Sequence, residues 1–255
     1  MVIVPWVNFF AESGGLLFAF GHSTPAGKFV IAALLLASLL SWSVIITKLS
    51  EFRLARRQDA RFFQKFHSSR RPLAIYLSRE SFPGSPAYAV YAAGCRELCY
   101  HLVGSTELDG AAAARLAEAE QFERLSPTAL EAVDAALGQA VGVQSLQLES
   151  RMIILATAVS GGPFLGLLGT VWGVMDAFTD IAMAGKASLA AMAPGVSGSL
   201  ITTVTGLLVA IPAMFAYNYL VVTQRGLTVG LDNFATELAS AFRHRFAERS
   251  RAIAE

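Results

Sequence analysis

Hydroxyl side chains inside two long apolar stretches are the groups in this chain best suited to chemistry. Thr170 lies in the stretch Met152–Met175 and Thr203 lies in the stretch Ala187–Gln224, and neither stretch contains a charged residue. A threonine hydroxyl both donates and accepts hydrogen bonds, so it can hold water or a partner's side chain in an otherwise dry interior. The alternative is that each hydroxyl bonds a carbonyl of its own helix, as serine and threonine commonly do.

The two threonines are predicted to lie at similar depth in a membrane. Thr170 precedes Asp176 by about six residues, which is roughly 9 Å along a helix. Thr203 follows Gly195 by about eight residues, which is roughly 12 Å. Asp176 and Gly195 mark the same side of an antiparallel helix pair, so the two hydroxyls are expected to face the same level of the membrane.

Ionisable side chains are missing from the interior of the three predicted membrane spans. No Asp, Glu, Lys, Arg or His lies well inside any of the three stretches that could span a bilayer. Intramembrane proton and ion relays normally use such groups. The chain is therefore not expected to relay protons alone. Either it conducts nothing, or a partner brings a carboxylate into a cavity lined by threonine.

Small residues recur at four-residue spacing on both Gly/Thr-rich stretches. The rows are Gly162, Gly166 and Thr170; Gly169, Gly173 and Ala177; Gly195, Ser199 and Thr203, followed by Gly206, Ala210 and Ala213. This spacing puts small groups on one helix face and lets two backbones approach closely, which could be the whole role of the glycines. Pro163, after Gly161–Gly162, and Pro212 are predicted to shape their helices together with Gly195, because proline removes an intrahelical hydrogen bond.

The composition indicates an integral membrane protein of the all-α class. The 255 residues are 54% hydrophobic and 15% charged, whereas soluble domains are about 25% charged. A net charge of +1 argues against a nucleic-acid partner. Cys95 and Cys99 are four residues apart without a second pair, which fits neither a zinc site nor a redox motif. We therefore expect reduced thiols, no metal and no cofactor.

Three stretches are predicted to cross the membrane, since a core of ~30 Å needs about 20 apolar residues. The predicted segments are an interfacial periplasmic segment at 1–27, spans at 28–47, 152–177 and 195–222, a cytoplasmic helical region at 48–151, a periplasmic loop at 178–194 and a cytoplasmic helix at 223–255. A fourth spanning helix within residues 2–20 is the alternative for the first segment. Between Lys48 and Arg71 eight basic residues face only Glu51 and Asp59, which places this flank in the cytoplasm.

The cytoplasmic region is predicted to be largely helical. Asp109 is a candidate cap for a helix that begins at Gly110, and Ser126–Pro127 is typical of a cap followed by a first-turn proline. No strong breaker separates Thr128 from Gly161, so one helix is predicted to run from the cytoplasm directly into the membrane. The region is small and rich in alanine, which does not favour a catalytic domain.

Two runs of sequence resemble the MotA/TolQ/ExbB proton-channel family. PFLGLLGTVWGVM, at Pro163–Met175, resembles the second-span signature of that family. APGVS at Ala193–Ser197 and LITTVTGL at Leu200–Leu207 resemble the third-span signature, which Ile211–Ala213 and Ala216–Asn218 continue. The three-span form resembles the TolQ/ExbB branch. Ser41–Trp42 and Lys48–Phe52 resemble ExbB, whereas Leu231–Phe234 resembles TolQ, so the choice between the two stays open.

The resemblance implies a multi-pass protein of the bacterial inner membrane, with its N-terminus in the periplasm and its C-terminus in the cytoplasm. It implies a homo-oligomeric ring, a pentamer in this family, around the helices of a single-span partner of ExbD or TolR type that carries an intramembrane aspartate. Such rings couple the proton motive force to force on a partner. By motif position Thr170 and Thr203 match the family's pore threonines, and Ser199 and Thr202 join them as pore-lining candidates.

One position departs from the family pattern. Gly198 occupies the place, five residues before Thr203, where the family usually has a glutamate. Asp176 could substitute for that carboxylate near the outer mouth, although a solvated charge at a helix end is the simpler interpretation. The departure leaves open a different partner register, a weaker channel or a specialised paralogue.

Three other functions are weighed against the channel. A non-conducting scaffold for partner proteins would explain the small residues and the missing acids, but not two threonines at matched depth. A solute transporter subunit predicts inverted repeats, and none is visible in this sequence. An enzyme is disfavoured, because the sequence shows no catalytic triad, phosphate-binding loop or metal-ligand set.

Overall fold

The computed structural model describes residues 24–69, 71–106, 109–185 and 189–247, and these residues form helices without a β-strand. Of the interfacial segment predicted at 1–27, residues 1–23 lie outside the described residues, and the first described helix already begins at Pro25. The helices are α1 (Pro25–Ser68), α2 (Ala74–Leu77), α3 (Pro86–Val103), α4 (Gly110–Phe122), α5 (Pro127–Glu149), α6 (Met152–Ala184) and α7 (Leu189–Phe246). The prediction of an all-α protein is confirmed.

Three of these helices are long and apolar enough to cross a membrane. Windows of 18 residues within α1, α6 and α7 have mean hydropathies of 2.5, 1.8 and 1.9. The described residues thus form an all-α membrane protein with three candidate membrane-spanning helices. The direction in which each helix crosses stays a prediction.

The chain divides into two compact units. The apolar unit comprises the described residues of 24–47 and 151–219, which include α6 and the first parts of α1 and α7. The charged unit comprises the described residues of 48–150 and 220–247, which include α2 to α5 and the remaining parts of α1 and α7. Each unit has its own buried side chains, so each is considered separately below.

Aromatic packing fills the core of the charged unit. Phe62 is fully buried on α1. Its ring meets Phe82, Tyr88 and Phe234 edge to face, with centroids 5.6, 5.8 and 5.5 Å away. Aromatic rings prefer this arrangement, because the positive edge of one ring faces the negative face of the other. These contacts fix α1 against the start of α3 and the last part of α7.

The buried face of α1 in the charged unit also carries a lysine that caps another helix. Lys48 is fully buried, and its Nζ donates hydrogen bonds to the carbonyl oxygens of Gln147 at 3.1 Å and Leu148 at 3.0 Å and to the hydroxyl of Ser150 at 3.3 Å. It also forms an ion pair with Glu51 at 3.0 Å. The last carbonyls of a helix lack intrahelical partners and carry the negative end of the helix dipole. Lys48 therefore stabilises the C-terminus of α5.

Three turns further along α1, the buried carboxylate of Asp59 caps the N-terminus of α3. Asp59 accepts hydrogen bonds from the hydroxyl of Ser85 at 2.6 Å and from the backbone N–H of Ala87 at 3.1 Å, at the start of α3. Burial raises the pKa of Asp59, whereas the bonds from Ser85 and Ala87 lower it. Ser85 is itself the N-cap of α3 and accepts from Tyr88 N–H at 3.0 Å. The two charges on α1 thus match the dipole ends of two different helices.

Both predicted helix caps in the region after α3 are confirmed. The side chain of Asp109 accepts from the backbone N–H of Ala112 at the start of α4. The hydroxyl of Ser126 accepts from Ala129 N–H at 3.3 Å, and Pro127 is the first residue of α5. Each cap satisfies one of the backbone donors that a helix start leaves unpaired.

The predicted uninterrupted helix from Thr128 to Gly161 is wrong. α5 ends at Glu149 and α6 begins at Met152, because Arg151 adopts a left-handed conformation with φ of 66°. No glycine or proline marks this turn in the sequence. α6 continues through Gly161–Pro163, in agreement with the predicted span at 152–177. Proline is tolerated inside membrane helices when neighbouring groups satisfy the backbone.

The predicted periplasmic loop at 178–194 is also corrected. α6 continues to Ala184, and Gly185 ends it with a φ of 64°, while α7 begins at Leu189. Helical residues therefore occupy both ends of the range predicted as a loop. The prediction ended one helix at Ala177 and began the next at Gly195. A charged residue such as Asp176 can mark the edge of the membrane without ending the helix, and Phe178–Ala184 contains no breaker.

Glu120 is a buried carboxyl in the charged unit, and it predicts a pH effect. Burial on α4 raises the pKa of Glu120, and the charges of Arg71 and Arg245 lower it. A raised pKa in the folded state means that the stabilisation is fully present below the unfolded pKa and is lost as pH rises through the folded pKa. We expect Glu120→Gln to raise the melting temperature at pH 7 and to remove this pH dependence. Thermal unfolding from pH 4 to pH 8 measures both, and Glu118→Gln, at an exposed position of α4, is the matched control.

An equal effect of the two glutamine substitutions would contradict this account of Glu120, since the exposed carboxyl of Glu118 keeps its hydration in the folded state.

Candidate functional site

Glycines of α6 and α7 form a close contact in the apolar unit, which we call the glycine seam. Its members are buried: Gly162, Gly166, Gly169 and Gly173 on α6 and Gly206 on α7. A Cβ atom at Gly206 would lie 2.5 Å from the carbonyl oxygen of Gly162. A Cβ at Gly169 would lie 2.5 Å from Oγ1 of Thr202. Both positions therefore admit glycine only, unless the backbones move apart.

The seam fixes the register of the two helices. Gly162 meets Gly206 and Ala210, whereas Gly173 meets Ser199, so residue numbers rise on α6 as they fall on α7. At the end nearest the α6–α7 connection, a Cβ at Gly195 would lie 3.1 Å from the Cβ of Ala177. The helices are thus antiparallel and in contact along about three turns of the seam.

This register brings Thr170 and Thr203 together. Oγ1 of Thr203 lies 3.3 Å from Oγ1 of Thr170 and 3.1 Å from the carbonyl oxygen of Gly166, so its single proton has two acceptors within reach. Thr170 donates its own proton to the carbonyl of Leu167 at 2.7 Å. The alternative of bonding within one helix therefore describes Thr170 but not Thr203, which bonds across to α6.

The other two hydroxyl candidates are enclosed in the seam. Thr202 is fully buried, and its Oγ1 lies 3.0 Å from the carbonyl of Gly166 and 2.6 Å from that of Ser199. Ser199 is 3% exposed and donates to Val196 at 2.8 Å. Thr170 and Thr203 are instead only half-buried. Within this chain the surface of the site is thus formed by the threonine pair and not by Ser199 or Thr202.

The remaining predicted residues lie along the same two helices. Pro163 is half-buried within α6, next to the seam, and Pro212 is exposed within α7. Gly198, at the position of the departure from the family pattern, is buried, and Asp176 is half-buried on α6. Because residue 198 is a glycine, this position supplies no carboxylate to the site.

Large apolar side chains are exposed within one helical turn of the threonine pair. Leu167 and Val171 on α6 are 54% and 61% exposed, and Leu200 and Val204 on α7 are 57% and 44% exposed. Exposed apolar side chains that lie close together are typical of contact with lipid or with another protein. The open face beside the threonine pair is therefore suited to an apolar helix from another chain.

The hydrogen bonds of the pair define what it can do chemically. Thr170 sends its proton to Leu167 O, and Thr203 has Gly166 O as one of its two acceptors, so both hydroxyls can offer oxygen lone pairs to the open face. Such a pair can accept a hydrogen bond from water or from a protonated carboxyl group. The described part of the apolar unit places no carboxylate, imidazole or amine against the pair, and no metal-binding cluster was found among the described residues. The pair can position a proton carrier but cannot itself replace one.

Sequence reasoning missed the two buried charges of the charged unit. At the level of sequence, Lys48 and Asp59 entered only the charge balance of residues 48–71. In the structure both side chains are buried and cap helices. The signal that could have revealed them is their spacing. Lys48 and Asp59 lie at the same three- and four-residue spacing as the buried residues Phe52, Ala55, Phe62 and Phe66. This spacing marks the buried face of a helix.

Comparisons with known proteins add independent information. Residues 108–232 match the model of the MotA/TolQ/ExbB proton channel family. The chain is 32% identical over 194 residues to the Tol-Pal system protein TolQ of Pseudomonas aeruginosa, which covers 75% of this chain and 76% of that protein. It is 30% identical over 221 residues to TolQ of Haemophilus influenzae, which covers 84% and 87%. A 46% identical match over 112 residues to the biopolymer transport protein ExbB of Xanthomonas campestris spans 44% of each chain, less than half of that relative's length.

Proposed function

Because this chain belongs to the TolQ/ExbB branch of the MotA/TolQ/ExbB proton channel family, we propose that it is the ring subunit of a bacterial inner-membrane channel and motor complex. The complex couples the proton motive force to force transmission across the envelope. The observation that carries the proposal is the contact between Thr170 and Thr203 on the half-buried face of the apolar unit. Two hydroxyls from two candidate membrane-spanning helices meet there, and α6 and α7 carry no ionisable residue within one turn of either threonine.

The partner in this proposal supplies the missing carboxylate. A single-span helix of ExbD or TolR type lies against the open face and presents an aspartate to the threonine pair. When its carboxyl is protonated, it donates to the lone pairs of Thr170 or Thr203. When it has lost the proton, Thr203 turns its hydroxyl from Gly166 O to the carboxylate, which is a rotation of one side chain. The pair therefore accommodates both protonation states of the carrier.

The assembly and the topology belong to the same proposal. Copies of this chain form a pentameric ring around the partner helices, with the N-terminus in the periplasm and the C-terminus in the cytoplasm. The exposed apolar faces of α6 and α7 support a ring, since a second copy or the partner would cover them. The chain acts through ion conduction and movement in this proposal, not as an enzyme.

Removing the Thr203 hydroxyl tests the channel. We expect Thr203→Val, which keeps the shape, to lower proton flux about tenfold in proteoliposomes that hold this chain with its partner, because a lost hydrogen bond of about 1.5 kcal/mol corresponds to that factor. Thr205→Val is the matched control, since the hydroxyl of Thr205 donates to Ile201 on its own helix at 2.8 Å. Flux is measured by the quenching of a pH-sensitive dye under an imposed potential.

Each outcome of this experiment decides between functions. Equal flux in the two variants would remove Thr203 from the conduction path. An intact complex that passes no protons in any form would favour the non-conducting scaffold. Flux of this chain without the partner would contradict the claim that the carboxylate comes from another chain.

A further inference from the structure

The exposed side of α1 in the charged unit carries a cluster of basic residues. It carries the guanidinium groups of Arg53, Arg56, Arg57 and Arg61, and all four residues are exposed. Among the residues that the structure describes, the ion pairs involve none of these arginines. The face therefore holds four positive charges that are free to meet an external anion.

The carboxylates of the same stretch do not neutralise this face, because both are engaged elsewhere. Asp59 is buried and bonded to Ser85 and Ala87. Glu51 forms an ion pair with the buried ammonium of Lys48. The sequence between Lys48 and Arg61 contains no other acidic residue. In the folded protein, the buried face of this part of α1 therefore carries the charged residues that cap other helices, and the exposed face carries the arginines.

The position of the arginines along α1 indicates what they meet. Thr47 is the last residue of the predicted span, and α1 is continuous through Ser68. At 1.5 Å per residue Arg53 lies about 9 Å beyond Thr47, Arg56 about 13 Å and Arg61 about 21 Å. The polar layer on each side of the hydrocarbon core is about 6 Å thick, and electrostatic attraction reaches about 8 Å further at physiological salt. Arg53 and Arg56 fall within this reach, whereas Arg61 falls outside it.

We propose that Arg53 and Arg56, with Arg57 behind them, bind the phosphate of anionic phospholipid headgroups. A guanidinium group binds phosphate with two parallel hydrogen bonds, and its long stem lets it reach back toward the membrane surface. Clustered basic residues next to a membrane helix are attracted to anionic lipid in the same way. The inference is independent of ion conduction, since it concerns the outer face of α1 and not the threonine pair.

Lipid selectivity tests the proposal on the full chain in nanodiscs. Spin-labelled phosphatidylglycerol and phosphatidylcholine report their association with the protein by electron paramagnetic resonance. We expect the wild-type chain to prefer phosphatidylglycerol, and Arg53→Gln to lower that preference about fivefold. Arg61→Gln is the matched control, because it removes the same charge from the same face about 12 Å further along the helix and is expected to have less than half the effect.

The alternatives give different results. Equal association of the two lipids with the wild-type chain would overturn the proposal. An equal loss in Arg53→Gln and Arg61→Gln would indicate an acidic partner that lies along the whole face instead of a membrane surface. Displacement of the labelled lipid by inorganic phosphate, but not by the same concentration of chloride, would identify a small-anion site and would also overturn it. Unchanged circular dichroism of both variants shows that the fold is intact.

Discussion

Gly206→Ala is expected to destabilise the contact between α6 and α7 by about 1–3 kcal/mol, the usual cost of overpacking a close-packed interior. The new methyl group would lie 2.5 Å from the carbonyl oxygen of Gly162 and 3.2 Å from the Cα of Gly166. Both neighbours are backbone atoms, so neither can move aside by rotating a side chain. Thermal unfolding of the purified chain in detergent measures the loss.

Gly161 of α6, next to Gly162 in the sequence, supplies the control for this prediction. Gly161→Ala adds the same atom to the same kind of helix, but a Cβ there meets nothing within 4 Å. Alanine is a better helix former than glycine by about 1 kcal/mol, so this variant is expected to be neutral or slightly more stable. If Gly206→Ala and Gly161→Ala unfolded at the same temperature, the seam would not be the close contact described above.

Lys48→Met is expected to lower the stability of the charged unit by about 3 kcal/mol, because hydrogen bonds to a charged donor contribute about 1.5–3 kcal/mol and their loss leaves buried acceptors unpaired. Methionine has a similar length and fills the space, but it donates nothing to the carbonyls of Gln147 and Leu148. We expect the last turn of α5 to fray. Amide hydrogen exchange in residues 144–150, together with thermal unfolding, measures both effects.

A second lysine on α1, Lys65, provides a matched control for Lys48→Met. Lys65 forms an ion pair with Glu80 at 3.0 Å, the same distance as Lys48 to Glu51, but its side chain is 55% exposed and that of Lys48 is 1% exposed. Exposed ion pairs contribute about 0–1 kcal/mol, so Lys65→Met is expected to change little. Similar losses in the two variants would mean that the ion pair, and not the capping of α5, accounts for the role of Lys48.

The apolar unit could be largely predicted from the sequence. Uncharged stretches of membrane length predict the three candidate spanning helices, and the spacing of small residues places glycines at a helix contact. The depth argument for Thr170 and Thr203 anticipates a contact that the structure brings to 3.3 Å. These features follow from local rules, namely helix rise, side-chain periodicity and the exclusion of charge from lipid. That the pair faces a pore stays a prediction.

Other features depend on contacts between distant parts of the chain. The end of α5 at Glu149 has no local signal, since it accompanies a left-handed Arg151 and a cap from Lys48, about 100 residues earlier. The sequence likewise does not predict which of two neighbouring threonines is accessible. Thr203 is half-buried, whereas Thr202, one residue away, is fully buried in the glycine seam. Adjacent residues on a helix differ by about 100° in direction, so this difference depends on how α7 is turned against α6.

The glycine seam also constrains how this gene can change. Four of the seam glycines (Gly166, Gly169, Gly173 and Gly206) leave no room for a Cβ because of a specific neighbour on the other helix, as Gly206 does because of Gly162 and Gly173 because of Ser199. A larger residue at one of these four positions therefore requires a compensating change on the opposite helix. Recombination that joins α6 of one lineage to α7 of another would pair faces that never adapted to each other. Gly138 and Gly142 on α5, where a Cβ meets open space, carry no such constraint within the chain.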